Sequence, residues 1–370
     1  PDAAARSRSG EPGRRRRRHA YQRAADERVN KITSIPFALV HVLAVVGTLW
    51  FGVTRGALAV FVVYTLGRIW FITAGYHRYF AHRAYRTGRV FQFVLAFGAC
   101  SAAQKGPLWW AGHHRDHHRY SDTELDVHSP LRGFWWSHLG WILCDKYTET
   151  PYDRIRDFAK YPELRFLNRY DWIPPWTLGV LAWLVAGWPG LFFGFFLSTV
   201  VTWHNTFMIN SVAHVFGRRR YATEDTSRNN VILALTTLGE GWHNNHHYYQ
   251  ASARNGFFWW EIDVTYYVLK VLSWLRIVHD LKVPSAQILA SNRIDQGAFD
   301  LGTFRSNVAR AAAAVANVGA SIHQGRESLE EAVAAKKEAL EAFVADSLQS
   351  AEELARLSRR HERELGFAER

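Results

Sequence analysis

Four apolar blocks, arranged as two pairs, constrain this chain more than any other feature. The first pair covers residues 35–53 and 57–76, split only by Thr54-Arg55-Gly56. The second covers 173–187 and 190–207, opened by Pro174-Pro175 and split at Gly187-Trp188-Pro189-Gly190. A membrane span needs about 20 apolar residues, and splits this short allow only tight turns, so each pair reads as a helical hairpin. Four crossings return the chain to its starting side. The segment between the pairs and everything after the second pair then face one compartment. The Arg14 to Arg18 run, Arg78, Arg83, Arg86, Arg89 and Arg218 to Arg220 all fall on that side. The positive-inside rule makes it cytoplasmic. The expected fold is therefore an all-α membrane protein: four transmembrane helices in two hairpins, with a helical cap on the cytosolic side.

Three regions follow from this pattern. Residues 1–32 read as a disordered basic arm, 33–283 as the integral-membrane domain, and 284–370 as a soluble helical extension. All sixteen tryptophans lie between Trp50 and Trp274, inside the second region. In the extension, Leu329, Val333, Leu340, Val344 and Leu348 recur at spacings of four and seven, the stripe of an amphipathic helix. The net charge is +12, much of it in the arginine run. That run has no interleaved aromatics, so it marks the cytoplasmic side rather than a nucleic-acid site. Cys100 and Cys144 form no motif, which fits a reducing compartment.

The chemistry lies in the histidines. There are 18, and eight stand in three clusters: His77 and His82; His114, His117 and His118; His243, His246 and His247. The last two clusters share the spacing His-x-x-His-His. On a helix, offsets of three and four residues share a face, so each box points three imidazoles at one patch of space. His77 and His82 are five apart, about 140° around an ideal helix, so they either serve different ions or straddle a helix end. Eight imidazoles exceed what one ion accepts. Imidazole suits Fe, Zn, Cu and Ni, and structural zinc usually brings cysteine, which is missing from these clusters. Two iron ions would permit O₂ activation in an apolar surround.

The order His77-Arg78-Tyr79-Phe80-Ala81-His82, His114-Arg115-Asp116-His117-His118, Asn210-Ser211-Val212-Ala213-His214 and His243-Asn244-Asn245-His246-His247 resembles the membrane-bound fatty acyl desaturases. It is most similar to the acyl-CoA Δ9 (stearoyl-CoA) branch, in a bacterial form. The resemblance covers roughly residues 33–283. It implies a di-iron centre held by His77, His82, His114, His117, His118, His214, His243, His246 and His247, with Asn210 reaching a metal through water. O₂ would be the co-substrate, and the product a cis double bond, at Δ9, in a saturated acyl chain. Asp122, Glu124, Asp126 and Glu240 are candidates to orient the ligands. Gln104, Trp110, Arg132 and Lys146 resemble substrate-side positions. Animal members carry Arg-Asp near the coenzyme A head group, where this chain has Gly112-His113. Acyl-CoA is the implied substrate, and acyl-lipid or carrier-protein substrates are the alternatives.

The chain shows no Gly-rich dinucleotide loop, Cys-rich cluster motif or haem domain, so a separate ferredoxin, cytochrome b5 or flavin reductase is implied as electron donor. The expected location is a bacterial inner membrane, with the active site and both termini cytoplasmic. Two other readings compete. A di-iron fatty acid or alkane hydroxylase would use similar boxes. A membrane metal-binding or transport protein would spread its ligands through the spans, whereas these lie beyond the span ends.

Overall fold

The computed structural model describes residues 24–294, 326, 329–331 and 333–342. Residues 1–23, most of the expected arm, lie outside the described residues. The chain divides into two units, 1–307 and 308–370.

Helix α1 (Ile35–Phe51) carries Pro36 in its first turn, where no amide hydrogen is needed. It stops at Gly52, whose φ of +71° disfavours a side chain. The hydroxyl of Thr54 then accepts the Ala57 amide at 3.1 Å and opens α2 (Arg55–Phe71). Past Phe71 the helix widens into a buried π-helical stretch, Ile72–Ala81, that delivers the chain to His82. Next come α3 (Arg89–Cys100), α4 (Pro107–Tyr120), α5 (Phe134–His138), α6 (Arg156–Ala159) and α7 (Pro162–Arg169).

An apolar helical run spans Ile173–Val215. It contains α8 (Ile173–Pro189), a π-helical stretch Gly190–Leu197 and α9 (Ser198–Val215). Ala186 and Gly187 leave helical geometry, with Gly187 at φ +63°, so the run folds back on itself. The fold-back is tight: a Cβ on Gly190 would lie 2.3 Å from the Ala182 carbonyl oxygen. Then follow α10 (Val231–Thr236), α11 (His243–Tyr248), α12 (Val264–Trp274) and α13 (Ala286–Ala290). Among the described residues the only paired strands are Arg86–Thr87 and Val278–His279.

The runs Arg55–Ala81 and Ile173–Val215 are long and apolar enough to cross a membrane, and α1 is a shorter apolar helix. The helices pack through Ala44, Val60, Ala182, Phe195 and Phe196. Their outer faces leave Leu39, Val46, Leu49, Val63, Leu184 and Val185 exposed, as lipid-facing surfaces do. Two polar devices tie this bundle. Arg68 is buried and donates to the Thr199 hydroxyl at 2.6 Å, to Ser198 and to the carbonyl of Tyr64. His41 on α1, His204 on α9 and His138 on α5 form a file, with ring nitrogens 3.1 and 3.0 Å apart. A second core, including Tyr76, Phe80, Leu95, Leu108, Leu164 and Leu167, holds the region above the helices.

Residues just outside the expected 33–283 domain make specific contacts with it. Residues 24–32 are packed: Glu27 is buried, with Arg132 at 2.7 Å and Lys146 at 2.6 Å. Asn30 donates its backbone amide to the Leu143 carbonyl and its side-chain amide to Asp145. Polar composition suggested an arm; the specific acceptors lay more than a hundred residues away. Residues 284–294 also belong to the first unit, through Ala222 N–H to Asn292 O, Ile294 N–H to Arg220 O, and Tyr221 O–H to Leu289 O. In the second unit the described residues are helical and exposed, with i,i+4 pairs Arg326–Glu330 and Lys337–Glu341. Such pairs contribute about 0.3–0.5 kcal/mol each. Leu329, Val333 and Leu340 of the apolar stripe are exposed.

Candidate metal centre and cavity

Nine histidines converge in two adjoining groups. One holds His77, His82, His114, His118 and His246; the other holds His117, His214, His243 and His247, with all ligand atoms in each group within 4.8 Å of one another. The groups touch through His118 and His247, whose ring centroids are 4.5 Å apart. The sequence resemblance had named all nine. It had not shown how they are shared.

Neither His-x-x-His-His box serves one patch. His114 and His118 enter the first group while His117 enters the second; His246 enters the first while His243 and His247 enter the second. At about 100° per residue, positions i and i+4 diverge by about 40°, whereas i+3 stands about 60° to the other side. The i,i+4 pair therefore enters one group together and the middle histidine reaches the other. Each of these two helices contributes to both groups.

His77 and His82 share the first group, with ring centroids 4.7 Å apart. The π-helical stretch is the reason. The amide of His82 donates to the carbonyl of His77 at 3.1 Å, an i+5 to i bond. That wider turn places residues five apart nearly above one another, which an α-helix does not.

Carboxylates hold the far side of four rings. Glu240 lies 2.7 Å from His77 Nδ1, Asp126 3.0 Å from His117 Nδ1, Asp122 3.3 Å from His214 Nδ1 and Asp225 2.7 Å from His247 Nδ1. The Asp126 and Asp225 contacts are hydrogen bonds that place the ring protons of His117 and His247 on Nδ1 and leave Nε2 as a lone pair. Asp225 was missed from sequence. It sits in an irregular loop with no periodic signal, fixed by bonds from Ser227 N and Thr223 Oγ1. The need for an acid behind the last box was the available clue. Glu124 is exposed and faces none of the rings, which removes it from the orienting set. Glu240 is itself gripped by buried Arg78, which also reaches Asp263, each at 3.0 Å. Gly239, at φ +125°, lets this turn form: a Cβ there would stand 2.4 Å from Asp263 Oδ1.

Charge follows from these contacts. Burial, reinforced by neighbouring imidazoles, pushes His82, His114, His118, His243 and His246 well below the usual histidine range. They are neutral and bear lone pairs. Burial alone would raise Asp126, yet His117 and His128 outweigh it and hold the carboxyl well below its ordinary value. His247 does the same to Asp225.

The donor set fits metal ions. The Nε2 atoms of His117 and His247 are buried with no protein partner. In the first group, Nε2 atoms approach in a ring: His77–His246 3.0 Å, His246–His118 3.0 Å, His118–His114 3.0 Å and His114–His82 3.1 Å. Asn210 borders His243 on the lining of a small cavity of about 40 Å³ that also touches His77 and His114. That volume holds about one water-sized molecule.

A larger cavity of about 520 Å³ runs from His114 and Asn210 down to Val40, Phe195, Phe196 and Thr199 in the helical bundle. Its walls are rich in aromatic side chains, as suits an apolar ligand. Gln104 and Trp110 line it, with Gln104 donating to Thr206 Oγ1 at 3.1 Å. Arg132 and Lys146 do not line it; both bind Glu27 instead. Their expected contact with substrate thus has no counterpart on the cavity wall.

A family model for fatty acid desaturases matches residues 55–263. An sn-2 palmitoyl-lipid 9-desaturase of a Nostoc species is 36% identical over 261 residues, covering 69% of this chain and 91% of that protein. An acyl-CoA C20 Δ5-desaturase of Anemone leveillei is 36% identical over 228 residues, 61% of this chain and 73% of that one. An sn-1 stearoyl-lipid 9-desaturase of Anabaena variabilis is 35% identical over 213 residues, 57% and 78% respectively.

Proposed function

Because the chain belongs to the fatty acid desaturase family, we propose that it is an O₂-dependent di-iron enzyme that introduces a cis double bond, at Δ9, into a saturated acyl chain. The observation that carries this reading is the meeting of two imidazole groups, five and four strong, the first of which reaches a cavity rich in aromatic side chains through His114. His77, His82, His114, His118 and His246 would hold one iron; His117, His214, His243, His247 and a water on Asn210 the other. The bound irons would supply the oxidising power to take hydrogen from unactivated methylenes, which acid–base groups cannot do. The overall change balances as CH₂–CH₂ plus O₂, two electrons and two protons giving CH=CH and two waters, the electrons coming from a separate one-electron donor.

The remaining work belongs to the protein's own groups. The aromatic cavity fixes one pair of methylenes beneath the centre and excludes water, which is the source of positional selectivity. Asp126 and Asp225 keep the ring protons of His117 and His247 on Nδ1. We place the centre on the cytoplasmic side of a bacterial inner membrane, with α1, α2, α8 and the π-helical stretch leading into α9 as the four crossings. Expression in a desaturase-deficient host, with lipid profiling by mass spectrometry, tests the reading. New cis-monoenes are expected from the wild type and none from His117→Ala. A product gaining one oxygen without losing two hydrogens would instead indicate hydroxylation.

A further inference from the structure

The cavity's charge and outlet identify the carrier of the acyl chain. We infer that the substrate is an acyl chain esterified in a membrane glycerolipid of neutral or zwitterionic head group, entering sideways from the bilayer, rather than acyl-CoA. This rests on the desaturase reading of the same site.

Coenzyme A carries several phosphate charges, and a site for it needs cations placed to meet them. The lining offers one, Lys105, against two carboxylates, Asp145 and Asp171. Asp145 is held in place by both side-chain amide contacts from Asn30, at 2.9 and 3.0 Å. Arg132 and Lys146, the cations nearest in sequence, converge on buried Glu27. At the Gly112-His113 position no charge is presented. A Cβ on Gly112 would meet Pro151 at 2.8 Å, and His113 is buried with Nε2 against the Glu149 carbonyl.

The walls nearest these acids point to the bilayer. Thr33, Pro36 and Phe37 come from the start of α1; Trp172, Pro175 and Trp176 from the start of α8. Both helices present apolar outer faces, and Trp172 and Trp176 are exposed, as interfacial tryptophans are. The cavity therefore meets the surface between two membrane-facing helices at the level of the interface. A lipid already in the leaflet reaches that level with its head group in water and its chain in the cavity.

The test offers both carriers to the iron-loaded protein in one reaction. Vesicles contain distearoylphosphatidylcholine with ¹³C-labelled acyl chains, unlabelled stearoyl-CoA is added, and ferredoxin, its reductase and NADPH supply electrons. The inference predicts ¹³C monoene in the phospholipid at a rate constant kcat/KM at least tenfold above that for unlabelled monoene in CoA. It also predicts that Asp145→Arg and, independently, the exposed-site change Thr148→Lys each raise CoA use at least fivefold. Equal or faster use of stearoyl-CoA by the wild type overturns the inference and leaves the desaturase reading standing. Neither monoene, with no O₂ consumption, overturns both. Metal-free protein gives a second readout: extraction should yield bound glycerolipid, and recovery of acyl-CoA instead counts against the inference.

Discussion

The residue that most changes the account of the centre is Asp225, because sequence gave it no mark. It holds His247 Nδ1 at 2.7 Å, and the opposite Nε2 has no protein partner. Replacing it by Asn removes the charge but leaves the size. The amide can present its NH₂ to the ring and favour the wrong tautomer, with the proton on Nε2. Orienting partners of metal-bound histidines are commonly worth about 10–100-fold in metal affinity. Asp225→Asn should therefore lose one metal per chain at a chelator concentration roughly tenfold below that which strips the wild type. Glu124→Gln, at an exposed acid beside the second box, should titrate like the wild type. Metal content by mass spectrometry against chelator concentration checks both. Identical curves for Asp225→Asn and wild type would show that the carboxylate does not orient the ligand.

At the scale of elements, the histidine file joins three helices that the hydrophobic pattern treats separately. Each neutral imidazole has one donor and one acceptor, and the file uses both: His41 Nδ1 donates to the Phe37 carbonyl at 2.7 Å, and His138 Nδ1 faces Ser211 Oγ at 2.9 Å. His204→Leu would remove the middle and strand a nitrogen on each neighbour, where an unmet polar group costs about 1–3 kcal/mol. The variant should melt several degrees below the wild type, whereas His279→Leu, at an exposed position, should not. An unchanged melting temperature for His204→Leu would reduce the file to incidental contact. This is where legibility from sequence ends. Apolar runs announced α1, α2, α8 and α9, because burial in lipid is a one-dimensional property of composition. The boxes announced the metal site, because ligand spacing on a helix is also local. The sharing of histidines between the groups, the π-helical turn at His77–His82, the acid behind His247 and the packing of Glu27 depend on which distant segments meet. None leaves a periodic trace.

At the scale of the whole molecule, charge balance ties the stability of the cap to bound cations. Asp122, Asp126, Asp225 and Glu240 are all buried against imidazoles, and buried Arg78 is shared between Glu240 and buried Asp263. Five carboxylates and one guanidinium leave an excess of negative charge among the rings; against the effect of burial, Asp122 pushes His214 above the usual histidine range. Burying uncompensated charge costs several kcal/mol, so the cap is less stable without cations. Bound divalent ions offset that excess. Metal binding is then part of folding stability rather than an addition to a finished scaffold. Stripping both ions should lower the melting temperature by several degrees or more and increase amide exchange in Pro107–Tyr120 and His243–Tyr248, the two helices that bridge the groups. The α1–α2 hairpin, held by apolar packing away from the centre, should keep its protection. Restoring one equivalent of iron should recover part of the loss, and a second equivalent the rest. A stripped protein with an unchanged melting temperature and unchanged exchange in both helices would mean that the excess charge is neutralised by protons instead and that bound cations do not support the cap.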